Sequence, residues 1–219
     1  MELGGIEMKY IVAINASPRS NWNTSKLVEA AARGVQETGA NVEIIHLYDL
    51  EPFQGCISCF GCKLPKTFGR CVSQDGLTEV LDKIRKADGL ILGSPNYLGN
   101  LTAGFRALYE RLIFQYLTYN KERPNCNDHM IPVLLITTSN CDESLYDKIG
   151  YTEMLESYKK RLERFIGPTK IMIYGNTLQV EDYSKYDWTI FNPADKKARH
   201  EEIFPLKLKE AFELGKGLI

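Results

Sequence analysis

The sequence predicts an α/β protein in which helices cover both faces of a doubly wound, five-stranded parallel sheet. Two observations support this prediction. Five short apolar runs, each bounded by turn residues, have the continuous hydrophobic character of strands that are buried on both faces. Segments with apolar residues at helical spacing alternate with these runs, and such alternation is typical of a parallel sheet.

The predicted elements follow one another regularly along the chain. The strands are expected at residues 10–14, 42–47, 89–93, 131–137 and 170–174. The helices between them are expected at residues 26–38, 77–86, 105–117 and 152–166. Near the C-terminus, Asn192 and Pro193 have the pattern of a helix cap followed by proline at the first helical position. Pro205 is expected to divide this last helix, with residues 207–215 as its second piece.

Length and composition limit the classes of protein to consider. We expect residues 1–219 to form a single domain, with a cysteine-rich loop at about 52–75 and a C-terminal extension at about 176–219. The net charge of −1 gives no indication of nucleic acid or an anionic membrane as a partner. No apolar run approaches the roughly 20 residues of a membrane span. The N-terminal residues also lack the pattern of a signal peptide, so a cytoplasmic location is expected.

The loop between the first strand and the first helix is rich in hydroxyl and amide side chains. Its candidate anion ligands are Ser17, Arg19, Asn23, Thr24 and Ser25. A helix N-terminus has free amides and a positive dipole, so these residues could surround a phosphate group there. The glycine-rich motifs of dinucleotide and nucleoside triphosphate sites are absent from the sequence. A hydroxyl-rich loop instead suits FMN in a flavodoxin-like fold, although an ordinary helix capped by Asn23 or Thr24 explains the same residues.

Two further polar loops follow predicted strands, at residues 94–100 and 137–141. Because the carboxyl ends of parallel strands meet at one edge of a sheet, we expect all three loops to lie together there. Ligands of doubly wound sheets bind at this edge, which favours a mononucleotide site over a simple capped helix.

Four cysteines lie in the loop after the second strand with the spacing C-x2-C-x2-C-x8-C. They are Cys56, Cys59, Cys62 and Cys71. Three thiols at such short intervals can face one side of an iron–sulfur cluster, and a more distant cysteine can supply the fourth ligand. Disulfide pairing is not expected in a reducing compartment. Two alternatives stay open, namely a loop without metal or in an oxidised state, and a zinc site with four thiolates.

These motifs resemble those of a known family. The stretch from Asn15 to Arg19, with Asn23 and Thr24, resembles the SPR…NT phosphate loop of the NADPH-dependent FMN reductase and iron–sulfur flavoprotein group. The stretch from Gly93 to Tyr97, with Leu101-Thr102-Ala103 and Arg111, resembles the second flavin loop and helix of that group. By this resemblance, the five residues of the first loop hold the FMN phosphate. The isoalloxazine would be bordered by Pro95, Asn96, Tyr97, Leu98 and Gly99, with Thr138, Ser139 and Asn140 closing the third side.

The resemblance implies an FMN-dependent oxidoreductase that passes electrons through its flavin. It also implies a [4Fe–4S] cluster on the four cysteines as a one-electron relay, although the last interval of eight residues is long for that motif. The electron donor would be NAD(P)H or a ferredoxin, and the acceptor a small molecule. Two alternatives are a cluster-free NAD(P)H-dependent reductase of FMN or quinones, and an electron carrier like flavodoxin.

A homodimer or homotetramer is expected as well. The predicted helix that begins near Phe105 carries apolar residues on more than one side, because Phe114 and Tyr119 lie beyond its inward-facing set. A helix that is apolar nearly all round is usually covered on both sides. The family resemblance points to the same assembly.

Overall fold

A parallel sheet of five strands forms the centre of the computed structural model, which describes residues 8–219. The strands are β1 (Tyr10–Asn15), β2 (Asn41–His46), β3 (Gly89–Tyr97), β4 (Asn100–Leu101), β5 (Val133–Thr138) and β6 (Thr169–Tyr174). The five long strands lie in the order β2-β1-β3-β5-β6 and all pair in parallel. This is the strand order of flavodoxin-like folds, and it confirms the predicted fold class. The short strand β4, which was not predicted, pairs with the end of β3 in antiparallel fashion.

Helices cover both faces of this sheet. They are α1 (Asn23–Gln36), α2 (Leu77–Lys86), α3 (Ala103–Tyr116), α4 (Tyr151–Phe165) and α5 (Pro193–Lys216). The apolar side chains of α2, α3 and α4 share one hydrophobic core with the sheet. Those of α1 and α5 form a second core on the opposite face. The two-sided arrangement predicted from the alternation of strands and helices is therefore confirmed.

The backbones of helices α1 and α5 come into direct contact at two glycines, Gly34 of α1 and Gly215 of α5. A Cβ atom on Gly215 would lie 2.0 Å from the carbonyl oxygen of Ala31. A Cβ atom on Gly34 would lie 1.9 Å from the carbonyl oxygen of Phe212. Glycine is thus required on both helices, because any side chain at either position would collide with the backbone of the other helix.

The last helix is not divided at its proline. Helix α5 continues from Pro193 to Lys216 with Pro205 inside it, so the prediction of two separate pieces is wrong. Proline removes one intrahelical hydrogen bond, but tertiary packing can outweigh this loss. Phe204 just before the proline and Ala211 after it are both buried in the core shared with α1. The cap at Asn192 is confirmed, since its side chain accepts hydrogen bonds from the amides of Ala194 and Asp195.

The sheet topology decides where polar loops can meet. Strand β1 lies between β2 and β3. The sheet therefore grows to one side of β1 with β2 and to the other side with β3, which makes β1 the point where the strand order reverses. The loops that follow β1, β2, β3, β5 and β6 all leave from the carboxyl edge of the sheet. None of the helices between residues 8 and 219 combines the length and the apolar character that a membrane span requires.

Candidate functional site

The N-terminus of α1 has no side-chain cap. The residue at the cap position is Trp22, and its side chain makes no capping hydrogen bond. The side-chain amide of Asn23 instead donates to the carbonyl oxygen of Leu178 at 2.8 Å, and the hydroxyl of Thr24 pairs with that of Thr138 at 2.8 Å. The interpretation of Asn23 or Thr24 as an ordinary N-cap is therefore wrong. The first backbone amides of α1 stay available to an anion.

Three predicted loops line one groove of about 300 Å³ at the carboxyl edge of the sheet. We call it the carboxyl-edge groove. The predicted residues that line it are Ser17, Arg19, Asn23, Thr24, Pro95, Asn96, Tyr97, Thr138, Ser139 and Asn140. The structure thus brings together side chains that are far apart in sequence, such as Thr24 and Thr138, which 114 positions separate.

Three of the predicted residues are not among those that line the groove. The hydroxyl of Ser25 donates to the carboxylate of Glu29, one turn further along α1, at 2.8 Å. Leu98 and Gly99 form the tip of the hairpin between β3 and β4, with φ angles of 53° and 83°. Two successive left-handed residues give the tight turn that suits a two-residue hairpin loop. The side chain of Leu98 is fully exposed at this tip.

A fourth wall of the groove was missed by sequence reasoning. It comes from the segment after β6 and comprises Thr177, Leu178, Gln179, Val180 and Trp188, with Trp22 beside it. The sequence of this segment shows neither a helical nor a strand period, so periodicity gives no indication of its role. It follows a strand of the same sheet, however, so the topology that predicted the other three loops could have indicated this one too.

Side chains of the first loop hold this fourth wall in place. Arg19 donates to the carbonyl oxygen of Gln179 at 2.6 Å, and the indole of Trp22 donates to that of Leu178 at 3.2 Å. The side-chain oxygen Oε1 of Gln179 is buried and has no hydrogen-bond partner among the residues that the structure describes. A buried acceptor without a partner is costly, so a ligand donor in the groove would satisfy it.

The four predicted cysteines line a single second cavity, which we call the cysteine cavity. Arg111, Phe114 and Gln115 of α3 line its other side. Between the cysteines, Ser58 and Phe60 adopt left-handed backbone conformations with φ angles of 53° and 56°. Such residues turn the chain sharply and allow closely spaced thiols to face the same space.

Two cations fix the cysteine loop to α3. Arg111, which is only 1% exposed, donates its Nε–H to the sulfur of Cys71 at 3.3 Å and binds the carboxylate of Asp75 at 2.5 and 2.7 Å. Lys63 donates to the carbonyl oxygens of Phe114 and Leu117 at the end of α3. Unpaired carbonyls at a helix C-terminus attract cations, so Lys63 both caps α3 and anchors the loop.

The surroundings act on the charges of these groups. Burial raises the pKa of the Cys62 thiol, and the neighbouring Lys63 opposes this shift in part. Burial also works against the charged form of Asp75, but hydrogen bonds from Arg111 and from two backbone amides keep the pKa of Asp75 below its ordinary value. Asp75 therefore stays ionised and balances the buried charge of Arg111.

Ligation of a metal is not evident from the side chains alone. Across the described range 8–219, no group of three or more His, Cys, Asp or Glu side chains is arranged to hold a metal ion. The metal assignment of the four cysteines stays a prediction. Cys126, which the sequence leaves isolated, lies beside the same loop, with its sulfur 3.2 Å from where a Cβ atom of Gly69 would be.

Residues 9–140 match the model of a protein family described as NADPH-dependent FMN reductase. The chain belongs to this family. The matched residues include the three loops that were predicted to surround FMN and the cysteine loop.

Individual proteins show the same likeness. An iron–sulfur flavoprotein from Methanocaldococcus jannaschii is 39% identical over 101 residues, which cover 46% of this chain and 50% of that protein. The match thus spans about half the length of this relative. An NAD(P)H:quinone oxidoreductase from Methanothermobacter marburgensis superimposes with a TM-score of 0.72 at 17% identity, covering 97% of this chain and 100% of the other. An FMN-dependent NADH-azoreductase from Bacillus anthracis, solved with FMN, gives a TM-score of 0.64 at 16% identity and coverages of 96% and 99%.

The NADPH-dependent FMN reductase match ends at Asn140, so the fourth wall of the groove lies outside it. Helix α5 lies outside it too. Residues 141–219 are held at the groove by contacts such as those of Leu178 and Gln179 with the first loop.

Proposed function

We propose that the protein is an oxidoreductase that binds FMN in the carboxyl-edge groove and passes electrons through it. One observation carries the proposal: three hydroxyl- and amide-rich loops, each from the end of a parallel strand, line a single groove next to an uncapped helix N-terminus. The family of the chain supports the same cofactor.

The residues of the groove fit the parts of FMN. The phosphate would be held by Ser17, Arg19, Asn23 and Thr24 with the first amides of α1, while Ser25 would contribute through its backbone only. Tyr97 and Trp188 offer aromatic faces to the isoalloxazine, and Gln179 offers its unpartnered oxygen to a ligand donor. Pro95, Asn96, Ser139 and Asn140 would border the ring, with the hairpin of Leu98 and Gly99 nearby. When bound, FMN supplies reversible uptake of electrons singly or in pairs.

We further propose that Cys56, Cys59, Cys62 and Cys71 bind a [4Fe–4S] cluster. Four thiols line one cavity, in a loop that two cations hold against α3, and thiolates are the ligands that iron–sulfur clusters take. Arg111 would face the negative charge of the thiolates, which favours their ionised form. A cluster held by these residues would supply one-electron chemistry beside the flavin, with a ferredoxin as donor and a small molecule as acceptor.

A second candidate is a cluster-free reductase that takes electrons from NAD(P)H and passes them to FMN or a quinone. The family description supports it, because it names NADPH-dependent FMN reduction. The solved quinone oxidoreductase of similar fold is a further reason to test this activity. A simple electron carrier is the third possibility. The cysteine loop argues against it, because a simple carrier needs no second redox centre.

Anaerobic purification of the whole chain separates these functions. We would count FMN, iron and sulfide per chain, record the absorption spectrum, and then add NADPH without an acceptor. FMN with iron and sulfide in cluster stoichiometry supports the relay. FMN without iron, bleached directly by NADPH, supports the cluster-free reductase. Protein that takes up no FMN, even when FMN is added in excess, would refute both.

A further inference from the structure

A buried lysine from α5 lies directly behind the carboxyl-edge groove. Lys196 is 8% exposed, and no salt bridge within residues 8–219 includes it. Its ammonium donates to the side-chain oxygen of Asn140 at 2.7 Å, to that of Asn176, and more weakly to the carbonyl oxygens of Asn140 and Thr177. The ammonium also lies 5.2 Å from the centre of the Phe191 ring, and the carboxylate of Asp142 acts on it electrostatically. Burial and the charge of Arg199 outweigh Asp142, so the pKa of Lys196 is below its ordinary value.

The hydrogen bond to Asn140 decides which way this carboxamide faces. An ammonium has only donors, so the atom of Asn140 that it touches must be the oxygen Oδ1. The nitrogen Nδ2 is then the remaining polar atom of the side chain, and it has no partner among the described residues. Asn140 lines the groove, together with Thr177, whose carbonyl oxygen Lys196 also contacts. The contact with Lys196 thus assigns Nδ2 as the atom of Asn140 that can donate to a ligand.

We propose that Lys196 is a positioning residue for FMN, acting through Asn140. It holds the carboxamide so that Nδ2 can donate to an acceptor atom of the bound cofactor, a carbonyl oxygen, a ring nitrogen or a phosphate oxygen. This inference rests on the proposed FMN site. It assigns a role to a residue 56 positions beyond Asn140 in sequence, outside the residues that match the family.

The alternative is that Lys196 only ties α5 to the loops after β5 and β6. The two roles differ in their coupling to Asn140. A residue that acts through Asn140 loses its effect on FMN once the carboxamide is removed, whereas a purely structural residue keeps it. A double-mutant cycle on FMN binding therefore separates them.

The experiment uses the full chain, stripped of flavin, and titrates it with FMN while following the quenching of flavin fluorescence. The variants are Lys196→Met, Asn140→Ala and the double variant, with Lys196→Arg as a conservative replacement. Asn176→Gly is the matched control, since it removes a different partner of Lys196. Asn176 has a φ angle of 50°, which glycine adopts freely, so the loop should keep its shape.

We expect Lys196→Met and Asn140→Ala each to raise the Kd for FMN by about three- to tenfold, as the removal of one ligand hydrogen bond would. The double variant should bind no worse than Asn140→Ala. Lys196→Arg should restore most of the affinity, and Asn176→Gly should stay within about twofold of the wild type.

Asn140→Asp keeps the inference testable even if Lys196→Met does not fold. Its carboxylate retains the interaction with Lys196 but presents only acceptor atoms, which repel an acceptor of FMN, so this variant should bind FMN more weakly than Asn140→Ala does. Wild-type affinity in Asn140→Asp, wild-type affinity in Lys196→Met, or additive effects in the double variant would each overturn the inference while leaving the FMN site intact. Absence of FMN binding by the wild type would instead overturn the proposed function, and the inference with it.

Discussion

At the scale of single residues, the non-glycine residues with left-handed backbone lie around the two candidate sites. Between residues 8 and 219, the non-glycine residues with positive φ are Ser58, Phe60, Leu98 and Asn176. Two of them shape the cysteine loop, one forms the hairpin tip beside the groove, and one accepts a hydrogen bond from Lys196. Such conformations cost energy in residues with side chains and persist where the surroundings impose them.

Leu98 offers a direct test of this strain. Its side chain is fully exposed, so Leu98→Gly removes no packing and relieves the left-handed conformation. We expect the free energy of unfolding in urea to stay equal or to rise by up to about 1 kcal/mol. Leu98→Val should lower it, because a β-branched residue tolerates positive φ poorly. A clear loss of stability in Leu98→Gly would mean that the leucine side chain packs against another group in solution.

The phosphate assignment can be tested with Arg19 and Thr24. Replacing both by alanine should weaken FMN binding by roughly 1–3 kcal/mol for each hydrogen bond removed, since these bonds are charge-assisted or buried. Isothermal titration with FMN would measure the change. Ser20→Ala is a suitable control, because Ser20 is exposed in the same loop and does not line the groove. Equal affinity in the double variant and the wild type would contradict the assignment.

At the scale of elements, the strands and most helices were predictable because their signal is local. Buried parallel strands are continuous apolar runs, and the loops after them gather at one edge by topology alone. Topology places the segment from Thr177 to Val180 at the same edge, but its position as a wall of the groove depends on donors from Arg19, Trp22 and Asn23, which the sequence does not reveal. The undivided helix around Pro205 was missed for the same reason, since packing on α1 decides it.

The cysteine loop is an element whose role can be separated from that of the groove. Cys59→Ser should abolish iron binding under anaerobic conditions and leave FMN binding unchanged, because the two sites share no lining residue. Iron analysis and the flavin spectrum of the same sample measure both. Cys126→Ser is the matched control: this cysteine lies beside the loop but does not line the cavity, so iron should be retained. Iron retained in Cys59→Ser, or FMN lost from it, would contradict the assignment.

The close packing of α1 against α5 is a second feature that can be tested. Gly215→Val places a side chain where the carbonyl oxygen of Ala31 lies, so the helices must separate. We expect the free energy of unfolding to fall by about 3 kcal/mol or more. Gly217→Ala should be nearly neutral, since its nearest neighbour would be 3.5 Å away. Equal stability of the two variants would show that the close packing is not required.

At the scale of the whole molecule, the surface around the cysteine cavity is unusually apolar. The exposed side chains there include Ile57, Phe60, Leu64, Phe68 and Tyr119, of which Tyr119 is 72% exposed. Apolar patches of this kind mark interaction surfaces. Part of the apolar outer face of α3 is covered within the chain itself. The ring of Phe60 packs edge-on against the ring of Phe114, with 5.8 Å between the ring centroids. The patch on the cysteine loop now gives the stronger reason to expect an assembly.

We therefore predict a homodimer or homotetramer. Light scattering at micromolar concentration should give at least twice the mass of the chain, 24.9 kDa. Placing lysines at Leu64 and Tyr119 should shift the protein toward the monomer, since charges are poorly tolerated in the centre of an interface. A wild-type monomer at this concentration would refute the prediction.

The anchoring of the cysteine loop by Lys63 and Arg111 has a consequence for how a cluster would be acquired. In small metal-binding domains the unfolded chain takes up the metal, and binding and folding are one event. Here the loop is also held by hydrogen bonds within the protein, from Lys63 to the end of α3 and from Arg111 to Asp75. We therefore expect removal of a cluster to leave the rest of the chain folded.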